Sequence, residues 1–213
     1  MRALLVDDEP ALLDALQRSL RRLRRGWGVC VAPGAQRALA MMDADRFDAV
    51  VTDMRMPSMD GAELLRACQE RDVIRFVLSG QTALEGALRS VSSAHRFLSK
   101  PSSVDALVAA LEEAHTALAP VDAAARARLA AIACLPCGAE AQASVSMLLA
   151  RGAALDVVAG AIASDVGMSA KVLQLVNSSY FGGGASIACP REGAARIGVA
   201  LLEAMNGSSR RCD

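Results

Sequence analysis

Short apolar runs alternate with longer amphipathic stretches through the first half of the chain. Ala3-Leu4-Leu5-Val6, Ala49-Val50-Val51-Thr52, Val73-Ile74-Arg75-Phe76-Val77-Leu78 and Phe97-Leu98-Ser99 are too short for helices and read as buried strands. The pattern predicts strands near 2–6, 27–31, 48–52, 73–78 and 95–98, and helices near 9–25, 34–44, 61–70, 82–91 and 102–118. Such alternation calls for right-handed crossovers and an α/β fold with a five-stranded parallel sheet. After Leu118 the texture changes. Ala119-Pro120-Val121-Asp122 breaks the last helix, because the residue before a proline is pushed out of helical geometry. From about 126 onward the strand signal disappears. Leu155, Val158, Ala159, Ile162 and Val166 recur at helical spacing, as do Met168, Val172, Leu175 and Val176, with glycines at 152, 160, 167 and 182–184 as punctuation. An all-α partial bundle is expected there.

Polar residues close the apolar runs of the first half. Asp7-Asp8 ends the first, Asp53 the third, Ser79 the fourth, and Lys100 follows Phe97-Leu98-Ser99. Ligands of open α/β sheets bind beyond the carboxyl ends of the strands, so three carboxylates, a hydroxyl and an ammonium are expected at one sheet edge. Carboxylates packed together repel unless a cation intervenes. Magnesium suits them, since it prefers hard oxygen ligands and keeps waters. A lysine adds a point charge suited to a phosphoryl oxygen. Phosphoryl transfer needs mainly positioning and charge neutralisation, with an Asp carboxylate available as nucleophile.

These residues resemble the receiver domain of two-component response regulators: Val6-Asp7-Asp8-Glu9-Pro10, Asp53-Met54-Arg55-Met56-Pro57-Ser58-Met59-Asp60-Gly61, Ser79-Gly80 and Lys100-Pro101. The resemblance covers about 1–118 and implies a flavodoxin-like strand order for the sheet. It implies that Asp53 accepts a phosphoryl group from a sensor histidine kinase or phosphotransfer protein. It implies too that Asp8, Asp53 and the backbone carbonyl of Arg55 bind magnesium, with Asp7 acting through water. Ser79 and Lys100 would grip the phosphoryl oxygens, Ser79 and Phe97 would act as the switch, and Lys100-Pro101 would be a cis bond.

Composition narrows the partners. Net charge is zero and the pI is about 6.7, so no global field favours nucleic acid or acidic lipid. The hydrophobic fraction is 53%, but no apolar run approaches the roughly 20 residues that span a bilayer. The chain enters a strand at once, leaving no room for a signal peptide, and a cytoplasmic location is expected. Arg21-Arg22-Leu23-Arg24-Arg25 reads as the last turn of the first helix, where cations complement the helix dipole before Gly26. Cys134-Leu135-Pro136-Cys137 has redox or zinc spacing but lies in helical sequence without further ligands nearby, so its cysteines are read as small hydrophobes. His95 and His115 have no partner at metal-ligand spacing and are given surface or packing roles.

The second half also carries a resemblance. Leu135-Pro136, Ala161-Ile162-Ala163-Ser164-Asp165, Ser169 through Ser178 and Ala194-Ala195-Arg196-Ile197-Gly198 are similar to the start of an HD-related output (HDOD) domain. Val166 stands where the family has proline, and the family domain runs longer than the segment before Asp213. The expected organisation is a receiver over 1–118, a linker over 119–127, an HDOD-like helical segment over 128–207 that is truncated, and a disordered tail over 208–213, with the polar tail reading starting at Asn206. A partial bundle exposes an apolar face that a dimer partner or the receiver would cover. HD phosphohydrolases hold metals with histidines and aspartates. Residues 119–213 have no histidine, and Asp156 and Asp165 read as helix-end residues, so no enzyme activity is expected. Asn177 is read first as a helix C-cap. The favoured function is a response regulator whose receiver switches a helical segment that contacts a downstream signalling protein. The alternative is a stand-alone phosphoacceptor, or phosphate sink, with a vestigial second segment.

Overall fold

A computed structural model describes residues 1–69, 71–80, 94–100, 103–118, 120–122, 137–177 and 186–208. The chain divides into two compact units, residues 1–133 and 134–213. Several expectations lie outside the described residues: the helix near 82–91, the Lys100-Pro101 peptide, most of the linker, Cys134, the glycines at 182–184, and the tail from 209.

In the first unit the strands are β1 (Arg2–Asp7), β2 (Gly28–Pro33), β3 (Ala49–Asp53), β4 (Ile74–Gly80) and β5 (Arg96–Lys100). All described pairings are parallel, in the order β2-β1-β3-β4-β5. The described helices are α1 (Pro10–Leu23), α2 (Ala35–Ala44), α3 (Gly61–Ala67) and α4 (Val104–Leu118). The flavodoxin-like doubly wound sheet is therefore present. Leu5, Val51, Phe76 and Leu98 meet Leu13, Leu20, Leu107 and Leu111 in one core. Burial of such side chains supplies the main driving force.

Two boundaries move. The first helix ends at Leu23 rather than 25, because the amide of Arg24 closes on Leu20 O and the chain turns there. Arg24 then pairs through Nε and Nη2 with the two carboxylate oxygens of Glu112 of α4. The third helix stops at Ala67, where the amide of Cys68 is shared among three carbonyls, a tightened last turn.

The second unit holds α5 (Ala139–Ala150), α6 (Leu155–Ala163), α7 (Val166–Val176), α8 (Pro190–Ile197) and α9 (Val199–Ser208). Val158, Ala159 and Ile162 are buried as their spacing predicts, and so are Met168, Val172, Leu175 and Val176. Val166 is not: it is 77% exposed. The helix breaks at Ser164-Asp165, so the apolar phase resets and Val166 opens a new helix. Asp165 caps that helix by accepting from the Met168 amide at 2.8 Å and also accepts from the Gly138 amide at 3.0 Å. Burial would push its carboxyl up, but the backbone amides outweigh that and hold it below the usual range. The segment expected to fray from Asn206 is helical through Ser208, and Asn206 donates to Ser146 Oγ at 2.6 Å.

Candidate functional site

The strand register sets the stage. Val6 lies beside Thr52, so Asp7 and Asp53 end neighbouring strands one step further on. Ser79 lies beside Ser99, and Gly80 beside Lys100, across the β4–β5 pair. The carboxyl ends of β1, β3, β4 and β5 thus carry Asp7, Asp53, Ser79 and Lys100 to one edge. The Ser79 side chain lies outside what the structure describes.

Lys100 joins the two acids. Its Nζ is 2.7 Å from Asp7 Oδ2 and 2.7 Å from Asp53 Oδ1. The remaining oxygens are also engaged: Asp7 Oδ1 accepts from the Glu9 amide at 3.0 Å, and Asp53 Oδ2 from the Arg55 amide at 2.5 Å. Asp7 is 5% exposed, and the Asp53 side chain keeps 12%. Burial pulls the Lys100 ammonium down, but hydrogen bonds and charge from Asp53 and Asp7 outweigh it, so its pKa lies above the ordinary lysine value.

The loop after Asp53 is built for close approach. Gly61 donates its amide to Met54 O at 3.0 Å. A Cβ on Gly61 would lie 2.1 Å from Asp53 O, so no other residue fits without moving the β3 end. Asp60 and Glu63 close a capping box at the start of α3, with bonds of 2.8 and 3.0 Å. Ser58 turns the loop in the left-handed region, at φ 70°. The D-G-x-E spacing at 60–63 carried the signal for this box, and the sequence reading passed over it.

Asp7 and Asp53 are the two carboxylates that Lys100 brings together. Asp8 lies exposed beyond the β1 end, and among the described residues no group of three acidic, histidine or cysteine side chains stands close enough to hold a metal. Two converging carboxylates with an adjacent exposed third still suit a small hard cation that keeps several waters. Phe97, which the resemblance pairs with Ser79 as a switch, is enclosed here at 4% exposure.

A second buried polar group escaped the sequence reading. Arg75, inside the apolar run of β4, is 0% exposed. Its backbone amide donates to His95 Nδ1 at 3.0 Å, and its Nη2 faces His95 Nε2 at 3.0 Å. Nη1 is 3.4 Å from Cys68 O. Burial and the Arg75 charge lower the His95 pKa to about 4.

Comparison with known proteins agrees with this geometry. The model of the response regulator receiver domain matches residues 3–112, and that of the HDOD domain matches 138–208. The chain belongs to the response regulator receiver family, with an HDOD domain following. It is 37% identical over 114 residues to the transcriptional regulatory protein TrcR of Mycobacterium tuberculosis, covering 52% of this chain and 44% of that protein. It is 32% identical over 120 residues to the transcriptional regulatory protein GlrR of Escherichia coli, covering 55% and 27%. The chain thus spans less than half the length of these curated relatives. Among solved structures, the signal receiver domain of an HD domain-containing protein from Pseudomonas fluorescens superposes with TM-score 0.51 at 28% identity, covering 55% of this chain and 94% of that one. A receiver domain protein from Clostridium thermocellum gives 0.52 at 25% identity, covering 57% and 98%. No helix of the described residues is long and apolar enough to cross a membrane.

Proposed function

We propose that this protein is a phosphorylation-controlled response regulator in which Asp53 is the phosphoacceptor. The observation that carries the reading is the Lys100 ammonium, 2.7 Å from both Asp7 and Asp53. An Asp53 oxygen attacks the phosphorus carried by a kinase histidine, the phosphorus–nitrogen bond breaks, and an acyl phosphate forms on Asp53. Lys100 follows the new negative charge from the carboxylate to a phosphoryl oxygen. The Arg55 amide, already aimed at Asp53 Oδ2, offers a second donor. Ser79 is assigned the third contact, from the end of β4. Magnesium would be held by Asp8, Asp53 and the Arg55 carbonyl, with Asp7 through water, and would supply charge neutralisation.

The second unit is assigned to contact with a downstream signalling protein rather than to catalysis. Residues 119–213 contain no histidine to serve as a metal ligand. Ser79 and Phe97 are assigned the switch between the two phosphorylation states. Receiver over 1–118, linker over 119–127 and output over 128–207 is the organisation we adopt.

Intact-mass measurement after treatment with acetyl phosphate and magnesium tests the acceptor. One added phosphoryl group is expected on the wild type and none on Asp53→Asn; equal labelling would refute the assignment. Deletion of 119–213 tests the output: survival of both phosphorylation and signalling would make the protein a phosphate sink instead.

A further inference from the structure

Helix α9 packs against α5 through a polar seam whose hydrogen bonds do not close. Ser146 Oγ donates to Gln142 O at 2.8 Å, so it must accept from Asn206, whose Nδ2 lies 2.6 Å away. That order fixes the Asn206 amide, and its Oδ1 is left as an acceptor. Oδ1 is shut off from the surface without a donor, and Gln142 Nε2 is likewise buried without an acceptor. Buried polar atoms in this state cost free energy, and the cost is recovered when the seam opens to water.

The packing beside the seam is loose. A small pocket, partly open to solvent, lies beside α9, lined by Val145, Ile162, Lys171, Leu202, Met205 and Asn206 among others.

The attachment of α9 is equally permissive. Gly198 alone separates α8 from α9, at φ 80° and ψ 164°, a conformation essentially reserved for glycine. It ends α8 by donating to Ala194 O at 3.1 Å and starts α9 by accepting from the Leu202 amide at 3.2 Å. Nothing lies within 4 Å of where its Cβ would be. One residue with wide conformational freedom and no neighbours in the way is a hinge.

From hinge, seam and pocket together we infer that α9 is a strap that swings about Gly198 off α5, opening further the largely apolar pocket beside it. This device lies in the second unit and does not rest on the phosphoryl chemistry of the first.

Hydrogen exchange on the full chain tests it, comparing α9 with the core of α7. Amides of 202–206 are expected to exchange at least about tenfold faster than those of 172–176 in the wild type. Replacing both Gln142→Leu and Asn206→Leu removes the unpartnered atoms and leaves Ser146 bonded to Gln142 O. This pair should slow exchange over 202–206 by about tenfold and leave 172–176 unchanged. Asn206→Asp places a charge in the seam and should speed α9 exchange, which keeps the test open if the leucine pair does not fold. Wild-type α9 exchanging as slowly as α7 would overturn the inference. So would unchanged or faster α9 exchange in the leucine pair, or unchanged exchange in Asn206→Asp, since either means the seam does not govern the opening.

Discussion

Gly61 and Asp53 meet so closely that the first can carry no side chain. A Cβ at 61 would stand 2.1 Å from the Asp53 carbonyl oxygen, which also accepts from the Thr52 hydroxyl at 2.9 Å. Backbone, not a flexible side-chain end, is what would have to move. Gly61→Ala should therefore shift the end of β3 and cost roughly 1–3 kcal/mol of stability, as overpacking does. Asp53 would move with it, and phosphorylation by acetyl phosphate should slow. Denaturation midpoints and phosphorylation rates check both; a variant with wild-type stability and rate would show that the loop yields freely.

Lys100 balances two carboxylates, and its loss should separate binding from chemistry. Without the ammonium a divalent cation meets less repulsion; a single and a double positive charge about 4 Å apart repel by about 2 kcal/mol even in water-like surroundings, or roughly thirtyfold in affinity. Lys100→Met should thus bind magnesium more tightly while forming acyl phosphate more slowly. Magnesium titration and intact mass report the two effects. The sign of the pH dependence follows from the raised lysine pKa. The stabilising charge is fully present below the ordinary value of 10.5 and is lost only as pH climbs through the higher folded value. Wild type and Lys100→Met should therefore keep a constant stability difference across neutral pH and converge only in alkali.

How far the pattern of apolar and polar positions leads is visible at particular residues. Asp7, Asp53, Ser79 and Lys100 were legible because each closes an apolar run, and parallel strands bring their carboxyl ends together. Val158, Ala159 and Ile162 were legible because burial repeats with the helix. Arg75 was not: five apolar neighbours hide one charge, and what satisfies it includes His95, twenty residues away in sequence. Asp8 follows Asp7 directly and lies exposed beyond the end of β1, a difference from Asp7 that the apolar pattern does not show. Val166 misled because a helical period says nothing of where one helix stops and the next begins. Contacts made across large sequence separation, such as Arg24 with Glu112, leave no periodic trace.

Asn177 shows the same limit in the second unit. It follows α7 as a C-cap, as read, but its side chain does more. Nδ2 donates to Ile187 O and Oδ1 accepts from Ile187 N, each at 2.7 Å. The amide thus pairs with Ile187 as a neighbouring strand would, and ties the chain ahead of α8 to the end of α7. Asn177→Ala removes two bonds at about 1 kcal/mol each and should cost roughly 1–3 kcal/mol. Asn177→Asp should cost no less, because the donor is lost and a charge is added. Exchange of the Ile187 amide is the direct readout, and protection equal to wild type in either variant would refute the clamp.

The last prediction concerns acid. The two Arg75 donors both want an unprotonated His95 nitrogen, and a neutral imidazole has only one to offer. Protonation would destroy that acceptor and place a second positive charge beside a buried guanidinium. Cys68 gives no compensating charge, since burial pushes its thiol up to about 11. The His95 pKa accordingly falls from 6.5 to about 4. Above 6.5 neither folded nor unfolded chain carries this proton. Between 6.5 and about 4 the unfolded chain binds it and the folded chain refuses it, so stability falls as pH drops through that window. The residue as a whole is exposed, so solvent screening makes the fall smaller than the full shift implies. His95→Gln keeps an acceptor, does not titrate, and should flatten the slope. Trp27, the single tryptophan, packs against the core of the first unit and reports its unfolding. Urea midpoints by Trp27 fluorescence at pH 7 and pH 5 are expected to differ more in the wild type than in His95→Gln. Equal differences would show that His95 takes up its proton as readily folded as unfolded.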